Sequence, residues 1–143
     1  MPRHDVAIRV YYEDTDSGGV MYHAQYLAFA ERGRTEAMRS LGAPVSALLR
    51  EHGLGFFVSD LRIAYRRPVR LDDLVMVTTW LRELGAARAR LRQCLSCEGA
   101  VSANLDVTLA CVRVSDQRPA RIPPLWRDVL GGLVSAESEQ FVS

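Results

Sequence analysis

The chain has 143 residues, 48% of them hydrophobic and 24% charged, and a chain of that length buries roughly 70% of its unfolded surface, enough for one domain over 1–143. A net charge of +1 supplies no long-range field to hold nucleic acid or an anionic membrane, and no apolar run approaches the roughly 18 residues of a membrane span. All 18 basic residues are arginine, which excludes Schiff-base and P-loop lysine chemistry.

In chain order, Val6 to Tyr12 alternates as a strand, with Val6, Ile8 and Val10 on one face. A polar crossing follows, Asp14-Thr-Asp16-Ser-Gly-Gly19. From Tyr22 to Leu41 the period changes: Tyr26, Phe29, Ala30, Gly33, Ala37 and Leu41 recur at three- and four-residue steps, predicting a helix about 30 Å long that Gly42 stops. Arg32 with Glu36, Glu31 with Arg34 and Glu36 with Arg39 occupy the other side and read as a solvated face. Gly33 costs about 1 kcal/mol against alanine inside a helix, so its position implies close approach by another element.

Pro44 to Leu49 predicts a short helix ending near Gly53. Beyond it, Phe56–Tyr65, Leu74–Leu84, Ala87–Cys97 and Ala100–Val114 read as strands, and the short connections after the second strand of the chain imply an antiparallel meander. One further helical turn is expected around Trp126–Leu130. Cys94 and Cys97 spell C-x-x-C, but within a strand residues three apart point to opposite faces, whereas a redox pair opens a helix. They read as small buried hydrophobes. Three cysteines cannot make a four-cysteine zinc site, and their odd number fits a reducing compartment, so the expected location is cytoplasmic.

The crossing carries the chemistry. A calcium loop starting at Asp14 fails, because Gly18 falls at position 5 and Gln25 at position 12, where oxygen ligands are required. Turn chemistry accounts for aspartates that accept backbone N–H groups and glycines that supply positive φ. Ser17 lacks the Gly-x-Ser-x-Gly elbow of a nucleophile. His23 stands near the start of the long helix, whose unpaired N–H groups could polarise a carbonyl while an upstream carboxylate attacks it or activates water. That pairing suits a thioester, since a thiolate leaves without a general acid.

Tyr12, Asp14-Thr-Asp16, Gly18-Gly19-Val20, Tyr22-His23, Tyr26, Glu31-Arg32 and Arg34-Thr35-Glu36 together resemble the signature of the hotdog-fold 4-hydroxybenzoyl-CoA thioesterase family, and within it the YbgC-like branch associated with the Tol-Pal cluster. The likeness extends more loosely through Tyr65, Arg66-Pro68, Leu71-Asp72-Asp73 and Arg118 to Pro123. It implies an α+β hotdog fold, a five-stranded antiparallel sheet wrapped around one long helix. By the same resemblance the function is acyl-CoA thioesterase, with Asp16 as the catalytic carboxylate, Tyr12 and His23 assisting, and the His23 amide polarising the carbonyl. Asp14 is then mainly structural.

Tyr22, Arg66, Arg67 and Arg70 are candidate substrate contacts, the arginines because guanidiniums match coenzyme A phosphates. Arg88, Arg90 and Arg92 form a second stripe. No metal or organic cofactor is expected, coenzyme A being part of substrate and product. The implied partners are acyl-CoA, acyl carrier protein as a further donor, and copies of the chain in a homodimer, with sites at its interface, that assembles into a homotetramer. From a different class, a non-catalytic acyl-thioester or acyl-carrier-protein binding module has the same pocket-forming fold. A hotdog dehydratase places its Asp and His elsewhere.

Overall fold

The computed structural model describes residues 3–133. Its alternating segments form strands β1 (His4–Arg9), β2 (Leu54–Tyr65), β3 (Leu74–Leu84), β4 (Arg88–Cys97) and β5 (Ala100–Arg113), with helices α1 (Gln25–Ser40), α2 (Val45–His52) and α3 (Pro124–Gly131). The strands make one sheet in the order β1-β3-β4-β5-β2, antiparallel at every pairing. β1 and β2 are therefore its edges, and the expected meander holds for β3-β4-β5 while β2 crosses to pair with β5.

The helix crosses one face of this sheet. Phe29, Ala30 and Met38 of α1 meet Val75 and Val77 of β3, Leu91 and Leu95 of β4, and Leu105 and Leu109 of β5 in one buried cluster, which Leu48 of α2 and Trp126 of α3 extend. Each large apolar side chain so buried contributes about 1.5–3 kcal/mol. The expected close approach at Gly33 is present: a Cβ there would lie 2.4 Å from Val77 Cγ1 and 3.2 Å from Gln93 Nε2. Glycine is what lets α1 lie flat on β3 and β4.

The seam also contains a polar cluster. Gln93, fully buried, donates from Nε2 to the Ala30 carbonyl at 2.8 Å and to Thr79 Oγ1 at 3.0 Å. Its Oε1 accepts from Arg34 at 2.9 Å. This corrects the expectation that Arg34 belongs to a solvated face. Desolvation lowers its pKa, the charge of Glu31 working in the opposite direction. The expected Glu36–Arg39 pair does sit outside, as an exposed ion pair.

Several element boundaries differ from expectation by one to three residues, and two of them bear on the crossing. The first strand ends at Arg9 rather than Tyr12, because Tyr12–Asp14 closes into a single 3-10 turn. The long helix starts at Gln25 rather than Tyr22, since Asp14 and Tyr65 take up backbone groups of Tyr22 and His23, as described below. Cys94 is buried and its thiol is pushed up to about 11 by burial, with Asp5 adding to the shift. Cys97 is half-buried and also raised, by desolvation first and by Asp73 and Glu98 next. All three thiols are free.

Candidate active site

The crossing is built around Asp14, which is 2% exposed. Its Oδ2 accepts the Tyr11 N–H at 2.9 Å and its Oδ1 accepts Gln25 Nε2 at 2.7 Å, while its carbonyl takes the Tyr22 N–H at 2.9 Å. One residue thus ties the strand exit to the helix entry. A buried carboxylate engaged on both oxygens is part of the frame.

Asp16 is placed differently. Thr15 and Met21 form an antiparallel bridge, inside which the Asp16 N–H donates to the Val20 carbonyl at 2.9 Å and the Gly19 N–H returns to the Asp16 carbonyl at 3.1 Å. Gly19 closes this turn at φ +82°, a conformation that an L side chain rarely adopts. The Asp16 side chain is exposed, with Oδ1 accepting the Gly18 N–H at 2.8 Å. Oδ2 has no partner among the described residues. Val20 bridges to Arg70 and the Met21 N–H reaches the Val69 carbonyl, so the hairpin is docked on the link between β2 and β3.

The helix entry is then held residue by residue. The Tyr22 carbonyl accepts the Gln25 N–H at 2.8 Å, and the His23 carbonyl accepts the Tyr65 hydroxyl at 2.8 Å. The Tyr22 and His23 rings lie 4.4 Å apart, tilted by 48°. No side chain caps α1, and its first turn carries no acidic residue. Helix starts normally recruit Ser, Thr, Asp or Asn to satisfy their orphan N–H groups, a cap being worth about 1 kcal/mol. Here the His23 N–H, just ahead of this 16-residue helix, donates to no described residue.

Contacts link some of the expected site residues to one another. Asp16 and Arg70 are joined through Val20, and His23 through Tyr65 to its neighbour Arg66. Arg66 and Arg67 both donate their backbone N–H to the Ser102 carbonyl, at 2.7 and 3.2 Å. The guanidiniums of Arg66, Arg67 and Arg70 are exposed and make no ion pair among the described residues. Tyr12, 81% exposed, stands on the 3-10 turn, its carbonyl occupied by Thr15. The second arginine stripe is consumed in part, with Arg90 on Glu83 at 3.4 Å and Arg92 on Asp106 at 3.0 Å.

Two residues outside the expected set complete the arrangement, Gln25 and Tyr65, each bonded to a residue distant in sequence. An apolar cavity of about 340 Å³ opens between α1, α2, α3 and the start of β2, lined by Met38, Phe56, Phe57, Val58 and Leu130 with Arg34 at its wall. Among the described residues, no group of three or more His, Cys, Asp or Glu could hold a metal ion. No helix among them is long and apolar enough to cross a membrane.

Comparison with known proteins identifies the family and the fold. The description of the thioesterase-like superfamily matches residues 10–130. Over 116 residues the chain is 43% identical to the acyl-CoA thioesterase YbgC of Haemophilus influenzae, covering 81% of this chain and 85% of that protein. It is 36% identical over 117 residues to the acyl-CoA thioester hydrolase YbgC of Escherichia coli O6:H1, covering 81% and 87%. A solved structure described as a probable thioesterase, from Bartonella henselae, superposes with a TM-score of 0.80 at 34% identity, covering 85% of this chain and 99% of that one. An uncapped helix entry beside an aspartate hairpin, on an antiparallel sheet wrapped around one helix, thus occurs in a chain that belongs to the thioesterase-like superfamily of hotdog fold, alongside the YbgC proteins, and is a thioester hydrolase.

Proposed function

We propose that the chain hydrolyses small or medium acyl-CoA thioesters in the cytoplasm, with acyl-carrier-protein thioesters as a second donor class. Asp16 is the catalytic carboxylate, attacking the acyl carbon or activating a water toward it. The oxyanion that forms faces the His23 N–H and the positive end of α1. Collapse of the intermediate breaks the carbon–sulfur bond and releases coenzyme A as a thiolate, which needs no general acid. When Asp16 activates the water, the acyl group leaves directly as the carboxylic acid; when Asp16 attacks, a water must then hydrolyse the Asp16–acyl anhydride, releasing the acid and restoring the carboxylate, and neither route calls for a metal or organic cofactor. His23 and Tyr12 assist from the rim, and Tyr22, Arg66, Arg67 and Arg70 meet the coenzyme.

The observation that carries this reading is the unspent His23 N–H at an uncapped helix start, in the same crossing that exposes Asp16. β2, which among the described residues pairs only with β5 and exposes Phe57 and Val58, supports a homodimer. Antiparallel pairing of two β2 edges would set the Tyr65 end of one strand against the Phe56–Val58 end of the other. The apolar cavity of one copy would then adjoin the helix entry of the next, giving the acyl chain a place between them, and two such dimers would make the tetramer.

Release of free thiol from acyl-CoAs of graded chain length, with acyl-carrier-protein thioesters alongside, tests the reading. Asp16→Asn, purified as a folded oligomer, is expected to lose about 10²–10⁴ in kcat. An unchanged kcat would overturn the assignment.

A further inference from the structure

We infer that Tyr65 is a positioning residue for the reaction, holding the His23 peptide so that its N–H faces the acyl oxygen. The inference rests on the oxyanion role proposed for that N–H. It starts from an accounting of the helix entry. The Tyr22 carbonyl, which shares a peptide plane with the His23 N–H, is held by the Gln25 N–H at 2.8 Å. The next peptide is held by the Tyr65 hydroxyl, 2.8 Å from the His23 carbonyl. Among the described residues no backbone N–H donates to that carbonyl, because the Leu27 N–H goes to Ala24 instead. Without the phenol, a bare carbonyl dipole would sit one peptide away from a developing negative charge, able to turn toward it and repel it.

The phenol is itself held. The Tyr65 ring meets Tyr26 edge-on, with centroids 5.0 Å apart and planes at 88°. The Tyr26 hydroxyl accepts the Val69 N–H at 3.3 Å, and the Val69 carbonyl accepts the Met21 N–H. Tyr65 therefore belongs to a closed chain of contacts that returns to the hairpin carrying Asp16. Desolvation raises the Tyr65 pKa, which keeps the hydroxyl protonated as a donor.

The test uses Tyr65→Phe, which removes one oxygen and leaves the ring on Tyr26. The expected result is a fall of about 10-fold in kcat, the scale of one lost hydrogen bond, with KM changed less than twofold. Circular dichroism and thermal melting separate this from unfolding. The second measurement is the infrared carbonyl stretch of a ¹³C-labelled acyl-CoA bound to Asp16→Asn. That stretch should lie below its value in water, and Tyr65→Phe added to Asp16→Asn should move it back toward water. A low stretch in Asp16→Asn that Tyr65→Phe leaves in place, with kcat unchanged, would overturn the role of Tyr65 alone. No displacement in Asp16→Asn itself would overturn the oxyanion role of the His23 N–H, and the inference with it.

Discussion

The seam beneath α1 and the crossing before it are both polar, and they treat polarity in opposite ways. In the seam Gln93 spends its amide on Ala30, Thr79 and Arg34. In the crossing the His23 N–H and one oxygen of Asp16 make no bond among the described residues. The contrast repeats within three residues: Asp14 is buried and engaged on both oxygens, while Asp16 is exposed and half engaged. Saturated polar groups fix a frame. Unsaturated ones, held in place by saturated neighbours, are where chemistry can occur.

The largest effect that would sharpen this contrast is in the seam. Gln93→Leu leaves the half-buried Arg34 guanidinium without its acceptor and is expected to cost about 2–4 kcal/mol in denaturant unfolding. A cost under 1 kcal/mol would show that the cluster is incidental to the frame. Gly33→Ala comes next. Its Cβ would fall 2.4 Å from Val77 Cγ1, on a buried and branched side chain that has little room to move. Overpacking of about 1–3 kcal/mol then exceeds the helix-propensity gain of about 1 kcal/mol. The melting temperature should drop by a few degrees, and a rise would mean that α1 stands off the sheet.

A smaller effect is expected with pH. The unfolded Cys94 thiol ionises near 9.0 while the folded one is held up to about 11. Between those values the unfolded chain sheds a proton that the folded chain keeps, so stability falls as pH rises. Wild type should lose about 1–2 kcal/mol more than Cys94→Ala between pH 8.5 and 10.5, measured by denaturant unfolding. Equal losses would remove the buried thiol as the cause. The smallest effect is in the crossing: Asp16→Asn should change stability by less than about 0.5 kcal/mol. If it destabilises the chain as much as Gln93→Leu does, Asp16 belongs to the frame and the comparison collapses.

Much of the frame was legible in residue order because it is periodic. Alternation marks β5 from Val101 to Cys111, and three- and four-residue steps mark the buried face of α1. Gly33 was legible for a physical reason, since a residue costly to a helix implies a neighbour that excludes a Cβ. The place of Arg34 was not. Spacing offered Glu31 on the same helix, whereas the partner is Gln93, 59 positions away. The start of α1 was misplaced for a related reason: Tyr22 and His23 fit a helical period, but Asp14 and Tyr65 take up their backbone groups. Within the crossing, the residue types pointed to the chemistry. Which aspartate is buried depends on Gln25, and no periodic signal marks that contact.

The bond from Tyr65 to His23 joins residues 42 positions apart, and this has a consequence for synthesis. A chain emerging from the ribosome carries Asp16 and His23 well before Tyr65, so the His23 carbonyl lacks this partner until β2 has been made and docked. Contacts of such separation close late. On the roles proposed for His23 and Tyr65, full competence to cleave thioesters would arrive only with the finished sheet.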